Sequence, residues 1–232
     1  MLPFPYDWIA VFIVLLLFAA FSYKKQSLDA NGAAIGFVVG LLSYYLGGLY
    51  SLLVMLVFFV VADSCTRIAR KRLGERSEKR TTGNILGNSG AAIIALALGQ
   101  WAGFAQIAFS GAMATALSDT VSSEIGMLSK KKPRLITSPG KEVKMGTDGG
   151  VTGLGLASGA VGALIIGVIY YAAFGSPVMA GIIAFAGFMG CLMDSVLGAA
   201  LEREGKLTNT YVNFFASSTG AVIAFALSKL VL

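Results

Sequence analysis

Three apolar segments end in the same kind of dipeptide, Asp63-Ser64, Asp119-Thr120 and Asp194-Ser195. For the last two the likeness extends to Ser118-Asp119-Thr120-Val121 and Met193-Asp194-Ser195-Val196. An anion at a helix C-terminus is opposed by the macrodipole. Asp194, followed by Val196-Leu197-Gly198-Ala199-Ala200-Leu201, is still in apolar surroundings, where a charge costs about 2.5–3.5 kcal/mol at a helix centre and less towards its end. A divalent cation offsets both penalties by making the acids its ligands. Mg²⁺ takes one or two protein carboxylates and completes its octahedron with phosphate oxygens and water. Asp119 and Asp194 therefore read as metal ligands.

The stretch 119–150 supplies the other parts of such a site. Ser123 lies four residues after Asp119, on the same helix face if the helix continues. Lys130-Lys131-Lys132-Pro133-Arg134 is a cationic run, and Ser138-Pro139-Gly140-Lys141-Glu142 is a turn presenting a lysine. Gly146-Thr147-Asp148-Gly149-Gly150-Val151-Thr152 opens a helix with backbone amides suited to an anion. Lysine runs beside membranes also set topology or touch anionic lipid heads, and Asp and Asn at helix starts also act as caps. No Walker A loop is present, since Lys141 is followed by Glu142 and Leu135 stands where its first glycine would be.

These residues must be held by membrane helices. Of 232 residues 56% are hydrophobic and 13% charged, and the mean hydropathy is +0.77, outside the range of soluble domains. The absence of histidine excludes His-based acid–base relays and His-ligated metals. Two cysteines, Cys65 and Cys191, make neither a disulfide framework nor a structural zinc site.

A span needs about 20 apolar residues. Eight segments come near that, at 8–23, 31–46, 49–63, 89–104, 105–118, 151–174, 177–199 and 211–232. With the N-terminus outside, all of the 18 basic residues except Lys229 fall on one side, as the positive-inside rule requires. The net charge of +6 then reflects cytosolic loops rather than a nucleic-acid partner. The fold expected is an all-α polytopic integral membrane helical bundle of about eight transmembrane helices. Both termini lie outside, and residues 1–232 form one membrane-embedded catalytic domain whose large loops, at 64–88 and 119–150, are cytosolic.

The blocks Ser118–Gly126, Gly146–Val151, Gly190–Ala199 and Asn209–Asn213 resemble the family of membrane proteins typified by the plant phytyl-phosphate kinase. More distantly they resemble dolichol and phytol kinases and CDP-diacylglycerol synthases. The resemblance implies a Mg²⁺-assisted kinase at the cytosolic membrane face, converting an isoprenyl monophosphate such as phytyl phosphate to the diphosphate with a nucleoside triphosphate, CTP favoured. Asp119, Asp194 and Lys141 would then be catalytic, and Asp119, Glu124, Asp148 and Asp194 would hold the metal. Ser123, Lys132, Arg134, Thr147, Gly149, Gly150, Ser195, Asn209 and Asn213 would bind the nucleotide and phosphates. Without a transit peptide the chain looks like a prokaryotic member, in the cytoplasmic membrane. A cytidylyltransferase joining a lipid phosphate to CMP fits the same residues. A secondary transporter of ions or organic anions is the rival from another class, although its carboxylates belong near the bilayer midplane. Assembly into a homo-oligomer stays open.

Overall fold

A computed structural model of the chain describes residues 6–75, 79–102 and 104–231. It is a polytopic bundle of seven helices among the described residues: α1 (Tyr6–Lys24), α2 (Ala30–Leu73), α3 (Thr82–Ala102), α4 (Ala105–Gly126), α5 (Gly153–Phe174), α6 (Pro177–Leu197) and α7 (Asn209–Val231). Six of these are long and apolar enough to cross a membrane.

Eight separate helices are not seen, because 31–46 and 49–63 are both part of α2. Its 44 residues would extend about 66 Å if straight, twice the hydrocarbon core of a bilayer. The chain instead reverses at Gly48, whose backbone (φ 69°, ψ −163°) is non-helical. Residues before the first arm and near the end of the second consequently meet. Arg67 Nη2 donates to the Lys25 carbonyl at 2.8 Å and to Ser27 Oγ at 2.7 Å, and Leu28 pairs with Arg80. At the reversal Gln106 Nε2 donates to the Gly47 carbonyl at 2.9 Å.

The helix that fails the apolarity criterion is α4, and it is the central one. It packs against α2, α3, α5, α6 and α7, and every residue from Ala108 to Ser118 is buried. A helix walled in by other helices needs no lipid-compatible face, so Ser110, Thr115 and Ser118 are tolerated on it. Ser118 Oγ, for example, donates to the Gly159 carbonyl of α5 at 2.8 Å.

The polar connections are shorter than expected. α2 runs on to Leu73 and α3 begins at Thr82, so 64–88 is mostly helix. α4 continues to Gly126, and the rest of 119–150 holds a three-stranded antiparallel sheet in the order β2-β1-β3: β1 (Arg134–Leu135), β2 (Ser138–Glu142) and β3 (Gly150–Val151). Hydropathy marks the part of a helix inside the membrane, not the polar turns that continue it beyond. All of these connections, the sheet and a π-helical turn at Gly198–Glu202 gather at one end of the bundle.

Candidate active site

Glycine contacts in α6 bring the two carboxylates together. A Cβ at Gly187 would overlap Ala114, and one at Gly190 would overlap Thr115, so α6 lies backbone to backbone on α4. One helical turn further along each chain stand Asp194 and Asp119, within hydrogen-bonding reach of each other. Asp194 Oδ2 is buried with no hydrogen-bond partner, an arrangement that costs several kcal/mol unless a proton or cation sits between the acids.

Around this pair is a cavity of about 460 Å³. It brings together Asp119, Ser123, Glu124, Thr147, Asp148, Gly149, Gly150, Asp194, Ser195, Asn209 and Asn213, residues drawn from 95 positions of sequence. The loop carrying Thr147 and Asp148 is fixed by Gly149, whose φ of 71° suits glycine and whose missing Cβ leaves room for Ala199. The N-terminal turns of α5 and α7 open on the same space. Thr152 caps α5 by accepting from the Gly155 amide at 3.0 Å, and such helix starts present partial positive charge.

Lys132, Arg134 and Lys141 do not line this cavity. Lys141 is on β2, which is exposed throughout. Lys132 lies 3.8 Å from Glu142 and lines a neighbouring basic cavity with Lys130, Lys131 and Lys144. β1 pairs Arg134 with Glu142 of β2 on one side and with Val151 of β3 on the other, and Val151 borders the cavity.

Two charged lining residues were not anticipated, Arg70 and Glu202. Arg70 is on the extension of α2 beyond its apolar part, 3.7 Å from Glu124 Oε2, and looked like one more topology charge. Glu202 follows Asp194 by eight residues, and the π-helical turn winds it back towards the face of Asp194; π turns of this kind recur at functional sites. Glu124 itself accepts from Thr66 Oγ1 at 3.0 Å through Oε1, while Oε2 is buried without a hydrogen bond. Thr66 is in turn 3.3 Å from Arg80 Nη2. Burial pushes the Arg80 pKa down, against the opposing pull of nearby Glu124 and Asp63.

Five carboxylates and one guanidinium on a cavity of glycines, hydroxyls and amides suit a cation bound by oxygen. Among the described residues no three acids converge as a complete metal cage. Asp119 and Asp194 could hold Mg²⁺ only with oxygens from elsewhere, which is the mode this ion takes with polyphosphates.

The family described as "Integral membrane protein DUF92" matches residues 13–221. An "Uncharacterized membrane protein" of Methanocaldococcus jannaschii is 35% identical over 216 residues, 91% of this chain and 90% of that one. "Protein PGR" of Arabidopsis thaliana is 33% identical over 227 residues, 83% of this chain and 78% of its own length. "Protein VTE6, chloroplastic" of the same plant is 27% identical over 222 residues, 88% of this chain and 66% of its own. No solved structure matches.

Proposed function

This chain belongs to the integral membrane family DUF92, and from that premise we propose that it is a kinase taking an isoprenyl monophosphate, such as phytyl phosphate, to the diphosphate. The donor is a nucleoside triphosphate, with CTP favoured. The observation that carries this reading is the Asp119–Asp194 pair, two acids in mutual reach with one oxygen buried and unpartnered.

Asp119 and Asp194 would hold Mg²⁺, with Glu124 or Asp148 as a further oxygen donor. The ion's contribution is to neutralise charge on the transferring phosphoryl group. The acceptor monoester has a second pKa of about 6, so it is mostly dianionic near neutral pH and needs no protein base, as suits a chain without histidine. An acceptor oxygen bonds to the γ-phosphorus, the bond from that phosphorus to the β,γ-bridging oxygen breaks, and CDP leaves. The Gly149 amide, Thr147, Ser123, Ser195, Asn209 and Asn213 would orient the phosphates, while the Gly150 amide donates to the Thr147 carbonyl at 2.9 Å and closes the turn that carries them. Arg70 would offset charge inside the cavity. Lys132, Arg134 and Lys141 would draw the polyanion in from the basic cavity alongside. The polar end of the bundle would face the cytosol of a prokaryotic cell.

Protein in nanodiscs given phytyl phosphate, Mg²⁺ and CTP labelled in its γ-phosphate should yield labelled phytyl diphosphate and CDP. Release of pyrophosphate with a CDP-lipid would make it a cytidylyltransferase instead. Anion uptake into vesicles without turnover would make it a transporter.

A further inference from the structure

The carboxylate cavity adjoins the basic one. Pro133 and Met145 line both, and the two spaces, of about 460 and 490 Å³, each fall in the range of about 300–1,000 Å³ usual for small-molecule sites. The junction is built from both sides. The Pro133 carbonyl accepts from the Val143 amide at 3.0 Å, closing the foot of the β1–β2 hairpin. A Cβ at Gly150 would stand 3.1 Å from Val143 and 3.3 Å from Pro133, so the glycine-rich loop beside the acids packs on that same foot. Met145, 38% exposed, adds an apolar side chain at the boundary.

Glu142 is the anomaly of the basic cavity. Lys130, Lys131, Lys132 and Lys144 line that space, which suits a polyanion, and a carboxylate among them repels phosphate. The ion pair of Glu142 with Lys132 spans 3.8 Å between side chains 52% and 76% exposed, a kind of pair that adds little to stability. Neither phosphate binding nor the fold therefore calls for this acid. A carboxylate does accept from an exocyclic amine, as it does from the N4 group of cytosine. Uracil presents a carbonyl oxygen at that position, which a carboxylate repels.

We propose that the junction holds the base of the nucleotide donor, lying against Met145 and Pro133 with its exocyclic amine donating to Glu142, while the triphosphate extends into the carboxylate cavity. The assignment rests on the kinase reading for the nucleotide's role as donor. A thioether beside an aromatic ring is a favourable contact, and the proline ring offers a second apolar surface to the same base. The base is uncharged and needs none of the lysines, which stay free to attract the polyphosphate on its way in. Its place at the boundary leaves the carboxylate cavity to the ion and to the phosphates of donor and acceptor. Glu142 then selects cytosine over uracil nucleotides.

Binding and discrimination test this apart from turnover. 5-Iodo-CTP with Mg²⁺, irradiated with the protein in nanodiscs without acceptor, should label residues 133–145. CTP should displace the label, and UTP should need at least about tenfold more, the loss of one hydrogen bond to a charged group. Glu142→Gln should close that gap, because an amide either accepts from the cytosine amine or donates to the uracil oxygen. The gap and its closure should persist near 1 M salt, where the Debye length is about 3 Å and attraction by the lysines is screened. Met145→Ala should weaken CTP and UTP alike, and unchanged competition by both would overturn the placement. Label on α6 or α7, or a CTP-to-UTP ratio unmoved by Glu142→Gln, rejects the base site even if the kinase is real. Turnover of a prenyl phosphate with CTP but no competed label rejects it as well. Competed label that depends on Glu142, with no turnover of any prenyl phosphate, rejects the kinase and keeps the nucleotide site.

Discussion

Gly190 of α6 rests directly against Thr115 of α4, with no space for a side chain on the glycine, and one turn beyond this contact Asp194 meets Asp119. The helix contact therefore sets the spacing of the acids. Replacing Gly190 by Ala should force the two helices apart, at a cost of about 1–3 kcal/mol for an overpacked core. Thermal melts in detergent would show the loss, and activity should fall by more than the melting shift explains, because the acids separate. Thr115→Ala removes two of the three atoms that the new Cβ would meet. The Gly190→Ala/Thr115→Ala double variant should be more stable than the sum of the single effects predicts. Strict additivity would break the proposed link between packing and acid spacing.

Asp119→Asn and Asp194→Asn address the acids themselves. Each should reduce turnover by about 10²–10³, the scale of losing one preorganised electrostatic contact. Neither should lower the melting temperature without Mg²⁺, since like charges in contact destabilise the fold and an amide relieves them. Mg²⁺ with CTP should raise the melting temperature of the parent protein and leave the variants unmoved. A variant still stabilised by Mg²⁺-CTP would take its aspartate out of the metal shell.

The acids were legible in the sequence because a charge at the polar end of an apolar segment is conspicuous, and Asp119 and Asp194 recur in matching tetrapeptides. The glycine-rich loop was legible for the same kind of reason, since Gly146 to Gly150 has the composition of an anion-binding turn. What escaped were features that extend helices past the membrane. Arg70 lies on turns of α2 that hydropathy treats as loop, and Glu202 depends on a π-helical turn with no residue signature of its own. Nothing in a run of lysines shows that Lys132 borders a neighbouring cavity or that Lys141 lies on an exposed strand. The two arms of α2, at 31–46 and 49–63, were legible as separate apolar segments because glycines stand between them, and the chain reverses at Gly48.

Gly149 and Gly146 make a matched pair for testing the loop. Both have positive φ, 71° and 80°, so alanine strains either backbone by about 1 kcal/mol or more. A Cβ on Gly149 also collides with Ala199, whereas at Gly146 the nearest atoms are 3.9 Å away, on the flexible end of Met127. Gly149→Ala should thus displace Asp148 from the cavity and raise the KM for Mg²⁺-CTP about tenfold or more, while Gly146→Ala should change it only a few-fold. Equal effects would mean that backbone strain alone, and not contact with the π-helical turn, positions this loop.

The cations divide by location. Arg70 borders the acids, whereas Lys132, with 76% of its side chain exposed, and Lys141 on the open strand β2 lie outside the cavity. If the lysines act by attracting the nucleotide from a distance, Lys132→Ala and Lys141→Ala should raise the KM for CTP at low ionic strength. The difference from the parent should shrink to nothing near 1 M salt, where the Debye length is about 3 Å. The kcat should be unaffected at every salt concentration, because steering changes encounter and not the reacting geometry. Arg70→Ala, by contrast, should lower kcat at both low and high salt, since a guanidinium lining the cavity is screened much less. A salt-independent loss of kcat in Lys141→Ala would instead bring that lysine into contact with the transferring phosphate, and would require the hairpin of β1 and β2 to fold over the acids during turnover.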